Sequence, residues 1–292
     1  NTLYPVNTYL QSTADEKDYE SKPFGAEKKG FPYDLKQMIG ENYGAINSTP
    51  FSSTMTLDLA KAAVKAEKMG ANGVTDFLAV SLSSPDYIGH AFGPNSIEAE
   101  DNYLRLDKDL GDFLDYLDRQ IGKGQYLLFL SADHGVAHVP GFMNENRLPG
   151  GIVNGKSWTK DLDKMLETRF GKPGIISGFI NMQVYLNNPL IDEAGLDKEA
   201  ICDEIIKYLQ YEPGVARVLK LNELTGTTLN SKIKDMVANG FFPKRSGEIQ
   251  VLLFPNWIGG GKTGTTHGAW NPYDAHIPLL WYGWKIKPGK TN

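Results

Sequence analysis

The strongest constraint on this chain is the way short apolar runs alternate with amphipathic segments from residue 56 onward. LDLAKAAVKAEKM has the spacing of a helix with one buried face, with Thr56 as its N-cap and Gly70 beyond its end. TDFLAVSLSS, residues 75–84, then runs apolar without alternation, as a strand covered on both faces does. A second helix follows, opened by Asn95 with Glu98 as a capping box. Leu106, Leu110, Phe113, Leu114, Leu117 and Ile121 line its apolar side. Gly122 and Gly124 close it, and QYLLFLS, residues 125–131, is a second buried strand. Helix, strand, helix, strand in this order predicts an α/β fold with a mainly parallel sheet and helices on both faces. Residues 1–50, rich in Pro, Gly, Asn and Tyr, read as loops over that body.

Residues 150–250 follow another rhythm. LDKMLETRFG, KEAICDEIIKYLQ and IKDMVANGF read as helices. INMQVYLNN, GVARVLKL and EIQVLLF read as strands. This predicts an α+β lobe inserted into the main domain, whose sheet resumes at HIPLLWYG, residues 276–283. Cys202 shares a helix face with Ile201 and Ile205, which predicts a buried thiol. Being the single cysteine, it also excludes a disulfide within the chain.

The balance of 30 Lys+Arg against 35 Asp+Glu, a net charge of −5, argues against a nucleic-acid-binding surface. No apolar run approaches the roughly 18 residues of a membrane span.

The polar residues that stand out lie where the strands end, the place where open sheets bind ligands. SSPDYIGHAFGP sets Asp86 and His90 four apart, SADHG sets Asp133 beside His134, and GTTHGAW holds His267 in a loop of Gly and Thr. Carboxylate with imidazole is a donor set for a borderline divalent cation, with zinc the first choice. Spacing alone leaves open whether these are ligands or ordinary turn and surface groups. Thr265 and Thr266 adjoin His267, and loop packing with backbone hydrogen bonds is the simpler role for both. His138 and His276 read as loop or structural groups. Phe241, Phe242, Trp257 and Trp270 read as core or lobe packing, with a sugar-binding surface as the alternative.

Taken in order, SSPDYIGHAFGPNS, LFLSADHG, TTHGAW and YDAHIPLLWYG resemble the alkaline phosphatase superfamily, most closely the bacterial zinc enzymes with a threonine nucleophile. The resemblance implies an alkaline-phosphatase-like domain over 1–292, partial, with the lobe at 150–250 inserted in it. It implies Asp86, His90 and His267 as ligands of one zinc, and Asp133 and His134 as ligands of a second. It further implies hydrolysis of small phosphate monoesters through a phospho-enzyme, in the periplasm or outside the cell. The family's nucleophile and remaining ligand lie in an N-terminal portion with no counterpart here, so the expectation is a fragment with one complete zinc site and no catalytic nucleophile. A phosphodiesterase or nucleotide pyrophosphatase of the same superfamily is the near alternative. A non-catalytic metal- or glycan-binding module is the distant one.

Overall fold

The computed structural model describes residues 3–5, 8–22 and 30–290. The chain divides into two compact units. One comprises residues 1–142, 263–267 and 273–292, and the other comprises 143–262 with 268–272. Among the described residues no helix is long and apolar enough to cross a membrane.

In the first unit, α1 (Phe51–Ala66) presents Leu57, Ala60 and Val64 to Phe113 and Leu117 of α3 (Ile97–Leu117). The spacings of three and four put these side chains on one stripe. Helix α1 begins five residues before the expected cap. Pro50 stands at its start with a φ of −59°, and the Thr56 hydroxyl bonds back to the Ser52 carbonyl inside the helix at 2.9 Å. Pro is suited to the start of a helix because its φ is preset and its missing N–H has no partner there to lose. The cap of α3 is Ser96, one residue after the expected Asn95, and its hydroxyl accepts from Ala99 N at 3.2 Å. Asn95 instead holds His138 (Oδ1 to Nδ1, 2.7 Å), and Glu98 accepts from the Tyr33 hydroxyl. Between the two helices lies α2 (Ser84–Phe92), whose Ile88 and Phe92 pack with Tyr33 and Ala99.

The strands of this unit differ from expectation. Residues 75–83 join no ladder, and Phe77 is 77% exposed. Strand β1 (Leu127–Ser131) pairs antiparallel with β8 (Leu279–Gly283), from Leu127 opposite Gly283 to Ser131 opposite Leu279. Phe129, Leu280 and Trp281 are about half exposed. A doubly buried strand needs neighbours for its backbone groups and cover for both faces. Among the described residues no strand pairs with 75–83, and only Leu78 and Leu82 of the segment pack on the α1 and α3 cluster. The short helices α4 (Pro140–Glu145) and α9 (Pro272–Ala275) complete the helical elements named so far.

The second unit is built on a four-stranded antiparallel sheet. Its order is β3 (Ile176–Ile180), β4 (Gln183–Leu186), β6 (Ile249–Leu253), β5 (Val215–Lys220). β6 lies inside the sheet and is buried along four of its five residues. Ile249 and Val251 join a core with Trp158, Leu162 and Leu166 of α5 (Gly155–Phe170), and with Ile201, Cys202, Ile205 and Leu209 of α7 (Lys198–Leu209). Leu252 belongs instead to a second cluster, with Leu219, Leu221, Leu224 and Val237, the last from α8 (Ser231–Gly240). Alternate strand residues thus serve different cores, as the period of two requires. The buried Gln250 satisfies its amide by donating to the carbonyls of Met182 and Val251 and accepting from Gln183.

The run INMQVYLNN does not form one strand. Asn181 and Met182, at φ +51° and +58°, turn the chain between β3 and β4. Two left-handed residues match the twist of a tight hairpin, and Met is not a residue that announces one. Helix α6 (Asn188–Glu193) follows the hairpin, and β2 (Gly151–Val153) and β7 (Trp257–Gly259) form the one parallel pair among the described strands. Phe241 and Trp270 pack on the Leu252 cluster and Trp257 on the larger core, whereas Phe242 is exposed.

Two measurements test this core. Ile205, fully buried, sits between helix and sheet, so Ile205→Ala should lower the unfolding free energy by about 2–5 kcal/mol in a denaturant titration. Cys202 has its thiol pushed up to about 11, first by burial and then by the Glu199 carboxylate. It should therefore resist alkylation at pH 8 in the folded chain and react fully once the chain is unfolded.

Candidate metal centre

Helix α2 places Asp86 in its first turn and His90 one turn further on the same face, with the Asp86 Oδ1 3.5 Å from His90 Nε2. The loop after β1 brings His134 Nε2 to 4.0 Å from the same oxygen. The segment 263–267 brings His267 Nε2 to 3.6 Å, although His267 is 177 positions beyond His90 (267 − 90). One carboxylate oxygen therefore faces three imidazole nitrogens from three separate stretches of chain. Asp86, His134 and His267 each offer one ligand atom within 4.8 Å of the others. The rings of His134 and His267 stack at 3.4 Å between centroids, only 12° from parallel, and His90 lies against His267 at 5.0 Å.

Asp133 stands at the margin. Its Oδ2 approaches His134 Nε2 at 3.5 Å, its Oδ1 accepts from the His134 amide, and its side chain is 88% exposed. His138 stacks on Phe142 and bonds to Asn95, and its pKa is lowered by burial. His276 is exposed and is not a member of that group.

The local hydrogen bonds decide which ring nitrogen is free. His90 Nδ1 lies 2.8 Å from the Thr265 carbonyl, and His134 Nδ1 lies 2.9 Å from the Gly135 carbonyl. A carbonyl only accepts, so each Nδ1 carries the proton, and in the neutral ring Nε2 keeps its lone pair. His267 is held below the ordinary histidine range by burial, and further by His134 and His90. Three imidazoles converging on one carboxylate, two of them with Nδ1 engaged by a carbonyl, form a set of nitrogen and oxygen donors of the kind that holds a divalent cation. Thr265 spends its hydroxyl on the Ala137 carbonyl at 2.9 Å, the role that backbone hydrogen bonding predicts. Gly264, at φ +72°, lets the chain pass so close to the His90 carbonyl that a Cβ would collide with it.

A second acidic group is absent from any reading of the sequence. Asp15, Glu20 and Glu98 each place an oxygen within 4.8 Å of the others. Asp15 and Glu20 come from one N-terminal loop and Glu98 from α3, 78 positions beyond Glu20 (98 − 20), so no local spacing reveals the group. Burial pushes Glu98 up to about 8, the Tyr33 hydroxyl bond at 2.6 Å works against that, and Glu20 adds to it.

Residues 6–274 match the family described as type I phosphodiesterase / nucleotide pyrophosphatase. The chain belongs to this family. Among its relatives, alkaline phosphatase PhoV of Synechococcus elongatus is 50% identical over 292 residues, which is all of this chain and 52% of PhoV. Alkaline phosphatase PafA of Elizabethkingia meningoseptica is 43% identical over 294 residues, again all of this chain and 54% of PafA. The crystal structure of wild-type PafA superposes with a TM-score of 0.96, covering 100% of this chain and 56% of PafA. The chain thus spans about half the length of these relatives and has their α/β fold.

The Glu98 environment sets a pH dependence. Between about pH 4.5 and 8 the folded chain holds a proton that the unfolded chain has released, so this group's contribution to stability falls as pH rises. Glu98→Gln should therefore gain stability relative to the parent across that window. Urea unfolding at stepped pH measures it, and a difference that is flat or shrinks with pH contradicts the assignment.

Proposed function

We propose that this chain carries the metal-binding half of a zinc-dependent phosphate monoester hydrolase of alkaline phosphatase type. The observation that supports it is the convergence of His90, His134 and His267 Nε2 atoms on the Asp86 carboxylate at 3.5–4.0 Å. In this reading Asp86, His90 and His267 hold one zinc, and Asp133 and His134 contribute to a second. Bound zinc supplies positive charge that activates an oxygen nucleophile and offsets the phosphoryl oxygens.

The residues of the chain prepare that role. Thr265 and Gly135 carbonyls fix two imidazoles with Nε2 toward Asp86. The stacking of His134 on His267 excludes water from between the rings. The exposed Asp133 lies on the solvent side, where a further ligand can complete the second set. The phospho-enzyme nucleophile is assigned outside residues 1–292 on the resemblance to the superfamily, and of the two threonines beside His267, Thr265 has its hydroxyl committed to Ala137. From the resemblance to the superfamily alone we assign the longer protein to the periplasm or outside the cell, and cell fractionation tests that.

The description of the matching family favours a second reading, a phosphodiesterase or nucleotide pyrophosphatase using the same centre. Turnover of p-nitrophenyl phosphate against bis(p-nitrophenyl) phosphate by the longer protein separates the two. For this chain, we expect about one tightly bound zinc and p-nitrophenyl phosphate hydrolysis no faster than zinc alone. His267→Ala should weaken zinc uptake by at least about tenfold, while His276→Ala leaves it unchanged. Zinc-dependent turnover by residues 1–292, abolished in His267→Ala, would place the nucleophile inside the chain and overturn the assignment.

A further inference from the structure

The segment 264–266 runs between two stretches that carry ligand side chains, and Thr265 bonds to both. Its amide donates to the His90 carbonyl at 3.0 Å, and its own carbonyl receives His90 Nδ1 at 2.8 Å. Its buried hydroxyl donates to the Ala137 carbonyl at 2.9 Å, three residues after His134. Thr266 adds a parallel tie, its carbonyl accepting from Ala137 N at 3.2 Å. Two residues further along the same segment stands His267. Of all these ties, the Thr265 hydroxyl is the only side-chain group that links the His267 segment to the His134 loop.

The geometry makes such a tie necessary. The stacked rings of His134 and His267 turn their Nε2 atoms toward the same Asp86 oxygen, at 4.0 and 3.6 Å. Stacking alone does not fix the register of the two segments, which are otherwise free to slide or turn outward. A buried bond between the segments opposes that motion before any cation is present, which is how surrounding groups preorganise ligands.

We infer that Thr265 is a positioning residue: its hydroxyl holds the His134 and His267 segments in the register that aims three imidazoles at Asp86. Its hydroxyl proton is given to the Ala137 carbonyl. The inference rests on reading the cluster as a divalent-cation site.

The test compares the chain with Thr265→Val, which keeps the shape and removes the donor, and with Thr265→Ser, which restores the donor. Thr54→Val is the control, because the Thr54 hydroxyl ties α1 to Asp109 of α3 at 2.6 Å, away from the histidines. Zinc affinity is measured by chelator competition, and ligand geometry by the visible absorption of bound Co²⁺. Thr265→Val should weaken zinc by about tenfold and alter the Co²⁺ spectrum. Thr265→Ser should recover both, and Thr54→Val should match the parent. Unchanged affinity and spectrum in Thr265→Val overturn the inference, as do a Ser variant as weak as Val, an equal loss in Thr54→Val, or a Val variant that does not fold. A parent chain that takes up no zinc overturns the metal-site reading itself, and this inference with it.

Discussion

One carboxylate oxygen organises the first unit. Asp86 Oδ1 stands within 4.0 Å of three imidazole nitrogens, and each imidazole comes from a segment held by its own backbone contacts. Helix α2 supplies two members by simple periodicity, Asp86 and His90 one turn apart. The others arrive by loop, and loops hold such positions only when their polar groups are tied down. The ties are present: Gly135 N to Asp274 O at 2.7 Å, Val136 N to Tyr273 O at 3.2 Å, and the bonds of Thr265. The stacked rings, and the carbonyls that hold Nδ1 of His90 and His134, turn these side chains toward Asp86.

The second unit is stabilised by ordinary means. A strand buried on both sides, β6, is flanked by α5 and α7 through Ile249 and Val251 and by the α8 cluster through Leu252. Full burial of a Leu or Ile contributes roughly 1.5–3 kcal/mol, and Leu162, Leu166, Ile201, Ile205, Leu209 and Ile249 are all fully buried. The one polar residue inside the strand, Gln250, has its amide satisfied by Met182, Val251 and Gln183, so its burial carries no unpaired-donor cost. The first unit, by contrast, exposes Phe77, Phe129, Leu280 and Trp281 on strand segments. Their apolar composition is that of buried strands, and the chain spans about half the length of relatives that share its fold.

Helices were the most legible elements in the sequence, and strand environments the least. Phe113 and Leu117 declare the buried face of α3, and Ile201, Cys202 and Ile205 that of α7, because a period of 3.6 is written in neighbouring residues. Helix starts were legible only to within a few positions, since Pro50 and Ser96 compete with Thr56 and Asn95 through details of φ and hydroxyl geometry. The run 75–84 has the composition of a covered strand, but a ladder is a property of its neighbours, and composition does not name them. The hairpin at Asn181 and Met182 stayed hidden because a left-handed Met carries no signal.

For the candidate centre, the sequence by itself determined which residues are candidates: Asp86, His90, Asp133, His134 and His267 stand out by residue type and by their place after apolar runs, which leaves open whether they are ligands. Tertiary structure alone decided that His267 crosses 177 positions to stack on His134, that Asp133 faces solvent, and that Thr265 binds both ligand segments. The physical reason is the range of the interactions. Helical periodicity and turn chemistry act over a few residues and leave a local record. Stacking, a buried hydroxyl bond and the Asp15, Glu20 and Glu98 group depend on which distant segments the fold brings together, and no local pattern records that.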